Sequence, residues 1–384
     1  MNKSRQFLSQ NRNTLIALLI CAVLFIAAYA FVKPEKKSEE EMYGDSATYD
    51  EGKVTQVLTD STFQDPSADN AWRGEQTLIV EMLTGKYKGK SLQTGNYVGP
   101  LYGVPLKAGD TCTVVVSTFS DGQIRATVYE YSRTVPLLIV AALFILATVL
   151  VGGKNGVKSL VGLAVTVLTL FCILLPALLK GAPTLLSTFL TGVYVSLVTL
   201  LILDGAEKKT LCAFLGTAAG MTLAFLFAVL AQSILRIDGM RLTDVEPLLQ
   251  LRQTGTPIGL RGLLSAGVII SSLGAVMDVA MSLSSSLKEV HEANTDFTFK
   301  DLFRSGMNIG RDMVGTMTNT LILAFLGSGL VLILYISSLH LRTYQLLSSS
   351  YVAIETVSGI SCSIGVILSV PITAFIASRM YGKR

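Results

Sequence analysis

Eight stretches of this 384-residue chain are apolar over nearly the whole length that a membrane-crossing helix needs: residues 14–32, 135–151, 157–179, 183–203, 211–235, 259–285, 306–335 and 351–378. A bilayer core about 30 Å thick requires ~20 such residues per helix. Composition agrees, because only 15% of the chain is charged and 51% is hydrophobic, whereas soluble chains are about 25% charged. The fold class expected is an α-helical polytopic membrane protein of about eight transmembrane helices, with a small all-β extracytoplasmic domain inserted after the first helix.

The charges divide the chain into three parts. Residues 33–133 hold 15 acidic and 11 basic side chains, and the remainder holds 12 acidic and 20 basic. An acidic soluble module thus sits inside a basic, apolar frame. The expected domains are an N-terminal anchor (1–32), a β-rich module (33–133) and a seven-helix membrane domain (134–384). The surplus Lys and Arg lie in short clusters beside apolar runs, a pattern of membrane orientation and not of nucleic-acid binding. Lys3, Arg5 and Arg12 precede the first run, which places the N-terminus in the cytoplasm and residues 33–133 outside, and alternation over eight runs returns the C-terminus to the cytoplasm. The connection from Arg236 to Arg261, with four arginines outside, is the one dissent. Ala28-Tyr29-Ala30 resembles a signal-peptidase site, but the apolar stretch before it is long for a signal peptide, and an uncleaved anchor is expected.

Within the module, residues 53–58, 77–83, 111–117 and 123–131 are short β-rich runs separated by Gly-, Asp- and Ser-bearing turns. A small barrel or sandwich is expected, preceded by a solvated linker over 33–49. Trp72, Tyr97 and Tyr102 are read as packing residues before a ligand surface. Four of the five cysteines lie in apolar runs and Cys112 alone in the module, so no disulfide within the module, no metal site and no cofactor is expected. His291 and His340 fall in connecting segments on opposite sides.

Ionisable groups inside apolar runs cost about 2.5–3.5 kcal/mol each at a helix centre and so need a partner or a wet cavity. They concentrate in the last three runs. Ser271, Gly274, Asp278, Ser282 and Ser285 share one stripe at helical spacing. Asn308, Arg311, Asp312, Gly315, Thr316 and Asn319 recur at steps of three and four, and Glu355 begins the last run. Depth counted from each end brings Asp278 level with Arg311 and suggests an ion pair, while Glu355 lies near the headgroups. Gly216 with Gly220, Gly262 with Ala266, and Gly306 with Gly310 fit small-xxx-small packing.

The segments Gly-Ala-Val-Met-Asp-Val-Ala-Met-Ser (274–282) and Ser-Gly-Met-Asn-Ile-Gly-Arg-Asp-Met-Val-Gly-Thr-Met-Thr-Asn-Thr (305–320) closely resemble the YibE/YibF-like family of bacterial membrane proteins. The resemblance implies a multi-pass membrane protein and carries no activity with it.

The residues favour a permease or channel with a polar site between the last three helices, built from Asp278, Asn308, Arg311, Asp312, Thr316, Asn319 and Glu355. No Walker motif is present, so transport would be passive, gradient-driven or powered by another subunit. The alternative is a sensor or assembly platform whose β domain binds a partner or envelope ligand. Beyond the lipid bilayer, a membrane protein partner or a homo-oligomer is the expected company. Catalysis is not expected: Asp278 and Asp312 lack the Gly-x-Gly-Asp setting of an intramembrane aspartyl protease, and Arg311 would suppress a shared proton.

Overall fold

A computed structural model describes residues 2–33, 47–118, 123–242 and 245–383. Helix dominates, and the strands are confined to one region. By internal packing the chain forms two units, Glu35–Ala147 and Met1–Pro34 with Thr148–Arg384.

The first unit is a barrel of β1 (Ala47–Asp60), β3 (Ala71–Met82), β4 (Ser91–Val98), β5 (Thr111–Thr118) and β6 (Ile124–Tyr131), with β2 (Phe63–Asp65) added beside β3. Strand β1 is long enough to close it: its first half pairs with β5 and its second half with β3. Gly52 has a partner on both sides, standing opposite Cys112 and opposite Met82, and a Cβ there would run into Val80. Glycine at this corner lets one strand serve two neighbours. Strands β4 and β6 pair in parallel, the rest of the barrel antiparallel. Counted in chain order, the five neighbours run first, second, third, fifth, fourth and back to first, the Greek-key order of an OB-type barrel.

Alternate residues of each strand point inward, and Val54, Leu78, Val80, Met82, Cys112, Val114 and Val116 make the core. Four expected strands coincide with β1, β3, β5 and β6; β2 and β4 were not anticipated. Strand β4 turns Thr94 and Asn96 inward, so its pattern does not read as half-buried strand. Of the expected linker, residues 47–49 belong to β1 and residues 34–46 lie outside those described.

The helices are α1 (Asn2–Val32), α2 (Thr134–Thr169), α3 (Leu175–Leu179), α4 (Thr184–Asp204), α5 (Lys208–Leu235), α6 (Glu246–Gln253), α7 (Leu263–Ala293), α8 (Phe299–Ser328), α9 (Leu330–Ser338), α10 (Thr343–Leu347) and α11 (Ser350–Tyr381). Among the described residues, six segments are long and apolar enough to cross a membrane, or seven when α8 and α9, bent by 60° at Gly329, are taken as one. One of the six, Thr134–Leu179, has 46 residues. At 1.5 Å per residue it would reach about 70 Å, roughly twice a bilayer core. Gly153, at φ 53° and ψ −131°, breaks it into two helices, one for each of the expected runs 135–151 and 157–179. A π-helical turn, Leu170–Leu174, joins α2 to α3.

Helices α5, α7 and α11 pack together through small residues. Gly216 lies against Thr373, Gly220 between Val276 and Ser369, and Gly365 against Ala224. Helix α8 leans on this trio through Gly306, against Leu287 and Ala374, and Gly310, against Val370. Four of the glycines singled out by spacing, Gly216, Gly220, Gly306 and Gly310, thus sit at close helix approaches. Thr298 and Asp301 form a capping box that starts α8 seven residues before the expected run. Helix α1 packs on α4: the Tyr194 hydroxyl donates to the Cys21 carbonyl (3.0 Å), and the Ala206 N–H donates to Thr14 Oγ1 (2.9 Å).

His291 lies in the last turn of α7 beside Tyr381, within helix and not in a connection. His340 is in the turn after α9.

Candidate functional site

Asp278 lies in the middle of α7. One face of that helix is committed to the core by Val276, Val279, Ala280 and Leu283, and the helical period leaves Asp278 beside this face and exposed. It lines a groove of about 360 Å³ between α7, α4 and the second half of α2. The opposite walls present hydroxyls at helical spacing: Thr188, Thr191 and Thr199 from α4, with Ser159 and Thr166 from α2. Gly162 keeps the α2 wall close to α4, since a Cβ there would lie 3.2 Å from Thr199 Cγ2.

The hydroxyls are not equivalent. Thr166 donates to the Gly162 carbonyl (2.9 Å) and Thr188 to the Thr184 carbonyl (2.8 Å), each spending its proton on its own helix. Thr199, only 8% exposed, has no hydrogen-bond partner for Oγ1 among the described residues. Asp278 likewise has neither hydrogen bond nor ion pair among them. A carboxylate facing hydroxyl oxygens in an apolar frame can hold a proton or a small hard cation, since all the available donors are oxygens. Among the described residues no three His, Cys, Asp or Glu side chains converge on one point.

The expected pairing of Asp278 with Arg311 does not form in this structure. Depth counting could not say which way each helix is rotated. Arg311 and Asp312 are both exposed on α8, as are Asn308, Thr316 and Asn319. Thr316 bonds the Met313 carbonyl (3.1 Å) within its own helix, whereas the other four side chains have no partner among the described residues. Glu355 stands apart again. It lines an apolar cavity of about 270 Å³ where α11 meets the bent α8–α9 pair, among Phe325, Ile333, Ile336 and Ile360. The seven residues singled out from sequence therefore occupy three places among the described residues: the Asp278 groove, the exposed face of α8 and the cavity at Glu355.

The residues that sequence reasoning missed are the hydroxyls of α2 and α4. Their signal was present as Thr188, Thr191 and Thr199 at steps of about one and two turns in an otherwise apolar run. Lacking charge, they drew no notice.

A family model described as YibE/F-like protein matches residues 140–383, well over half of the chain. The chain belongs to the YibE/F-like family. The matched region contains the whole α4–α7 groove, the polar face of α8 and Glu355, and it excludes the β barrel. No curated protein matches the chain, and no solved structure does.

Proposed function

We propose that this YibE/F-like chain is a multi-pass membrane protein that moves a small cation, the proton included, or couples a solute to one, through the groove at Asp278. The observation that carries the reading is an unpartnered carboxylate facing an unpartnered, buried Thr199 hydroxyl across a cavity large enough for a hydrated ion. In a membrane such a group is costly unless it serves a solute path. The proposed span count is eight, with Gly153 dividing the long helix and α8–α9 taken as one bent span. In this topology both termini face the cytoplasm of a bacterial cell and the barrel lies outside. The packing of α1 on α4 favours an anchor that is retained. A π-helical turn beside the groove, at Leu170, supports the same site, because such turns recur where helices carry function.

A second reading keeps the barrel as a docking module for a partner or envelope ligand. It rests on Leu101, 95% exposed at the tip of a tight turn closed by the Gly99 N–H to the Tyr102 carbonyl (2.8 Å), with Tyr97, Tyr102 and Trp72 also exposed.

Flux measured in proteoliposomes against a panel of protons, monovalent and divalent cations separates these readings. The transport reading expects flux that Asp278→Asn abolishes and Thr199→Val weakens, in protein that remains folded. Flux equal to wild type in Asp278→Asn removes the groove from the pathway, and absence of flux across the whole panel favours the docking reading.

A further inference from the structure

Helix α8 turns its most polar face away from the rest of its own bundle. Its buried residues, Leu302, Gly306 and Gly310, face α7 and α11. The other side carries Asn308, Arg311, Asp312, Gly315, Thr316 and Asn319, every one exposed. A Cβ placed on Gly315 would meet nothing within 4 Å, so the centre of this face is open to a close neighbour. In the membrane placement proposed above, hydrocarbon would bathe a guanidinium and a carboxylate, and charged groups in that position are found paired or facing protein.

We propose that a second copy of this chain covers the face, in a two-fold dimer held by reciprocal Arg311–Asp312 pairs. Charge complementarity selects the occupant. Arg311 and Asp312 are successive residues, about 100° apart around the helix, on opposite flanks of the stripe centred on Gly315. Within one copy they diverge, and no ion pair joins them. Both copies must share one orientation in the bilayer, so the symmetry axis runs along the membrane normal and equivalent residues meet at equal depth. Rotation by half a turn about that axis sets the Arg311 flank of one helix against the Asp312 flank of the other, with their depths differing by one residue. The same operation places Gly315 on Gly315, where the absence of side chains lets the backbones approach, and brings the Asn308 and Asn319 amides within reach of their equivalents. A partner of one charge sign would leave either the guanidinium or the carboxylate unmatched. A second copy satisfies both.

The inference depends on the membrane placement of α8 but not on transport through the Asp278 groove, and its test reads association instead of flux. Full-length chains carrying two different affinity tags are co-reconstituted in lipid nanodiscs, and retrieval of one tag by the other is measured. Wild type is expected to co-purify across tags. Arg311→Asp alone and Asp312→Arg alone are each expected to lose that retrieval, because each sets like charges together. A mixture of Arg311→Asp chains with Asp312→Arg chains is expected to regain it, since every charge then meets its opposite, and the recovery also shows that both variants fold. Wild-type chains that remain single, single variants that still pair with themselves, or a mixture that stays apart would each overturn the proposal.

Discussion

Replacing Gln76 by Leu should come close to unfolding the β barrel while leaving the helices intact. Gln76 is 2% exposed, and its amide is the hub of the barrel's buried polar network. Nε2 donates to Asp60 Oδ2 (2.9 Å) and to the Leu106 carbonyl (3.2 Å), while Oε1 accepts from the Leu106 N–H (2.8 Å) and from Asn96 Nδ2 (2.9 Å). Leucine fills a similar volume and breaks all four bonds. The Leu106 N–H is then buried without a partner, at a cost of about 1–3 kcal/mol, and each of the other bonds is worth about 1 kcal/mol net. Apolar burial of the new side chain offsets some of this, so a loss of about 3–5 kcal/mol is expected, a large share of a small domain's stability. The chain has one tryptophan, Trp72, which lies in β3. Its fluorescence in the full-length protein therefore follows the barrel and nothing else. With a urea dependence of about 1–1.5 kcal/mol per molar, the Trp72 midpoint should fall by roughly 2–5 M. A fall below about 0.5 M would refute the reasoning, since it would mean that the amide is no better satisfied in the barrel than in water.

In the helical unit, Gly220→Ala should destabilise and Gly267→Ala should not. A Cβ at Gly220 would lie 2.5 Å from Val276 Cγ1, 2.8 Å from Ser369 Cβ and 3.0 Å from the Gly365 carbonyl oxygen, whereas at Gly267 it meets nothing within 4 Å. Overpacking costs about 1–3 kcal/mol and exceeds the ~1 kcal/mol gained in helix propensity, so thermal denaturation in detergent should move down for the first and up slightly for the second. Acid should weaken the barrel through Asp60 and Asp65. The Thr62 hydroxyl and N–H with the Gln76 amide hold Asp60 below the usual carboxylate range, and the Ser67 hydroxyl and N–H do the same for Asp65. Depressed values in the folded state mean stability that is complete above the unfolded value of about 4 and is lost as pH falls through the folded values. The Trp72 midpoint should accordingly hold steady from neutral pH to about 5 and decline below about 4, with a smaller decline in Asp60→Asn. Burial, aided by Asp110, pushes the Cys112 thiol up to about 11, and its side chain is 0% exposed. Maleimide near neutral pH should leave Cys112 unmodified in the folded protein and label it in step with Trp72 unfolding; labelling of the native barrel would contradict this.

Much of the architecture is legible without coordinates because membrane solvation writes itself into composition. The apolar runs, the acidic insertion between residues 33 and 133 and the Val- and Thr-rich strands each follow from local physics, and so do the small-residue spacings at Gly216, Gly220, Gly306 and Gly310. Strand β4 was missed because Thr94 and Asn96 point inward, where Asn96 is satisfied by Gln76 and by the Val104 carbonyl (3.0 Å). Those partners lie eight and twenty residues away, beyond the reach of any period-two pattern. The break at Gly153, by contrast, was legible: Gly-Gly-Lys-Asn-Gly interrupts the apolar run, and Gly153 takes the positive φ that parts the two helices.

The site divides along the same line. Residue type and helical period by themselves identified Asp278, Glu355 and the stripe from Asn308 to Asn319 as the groups that hydrocarbon cannot easily hold. Only the tertiary structure decided where they point: Asp278 toward the hydroxyls of α2 and α4, Glu355 into an apolar cavity, and the α8 stripe away from its own bundle. A helix sequence sets which residues share a face, whereas the rotation of that face toward one neighbour or another follows from how the glycines of α5, α8 and α11 pack.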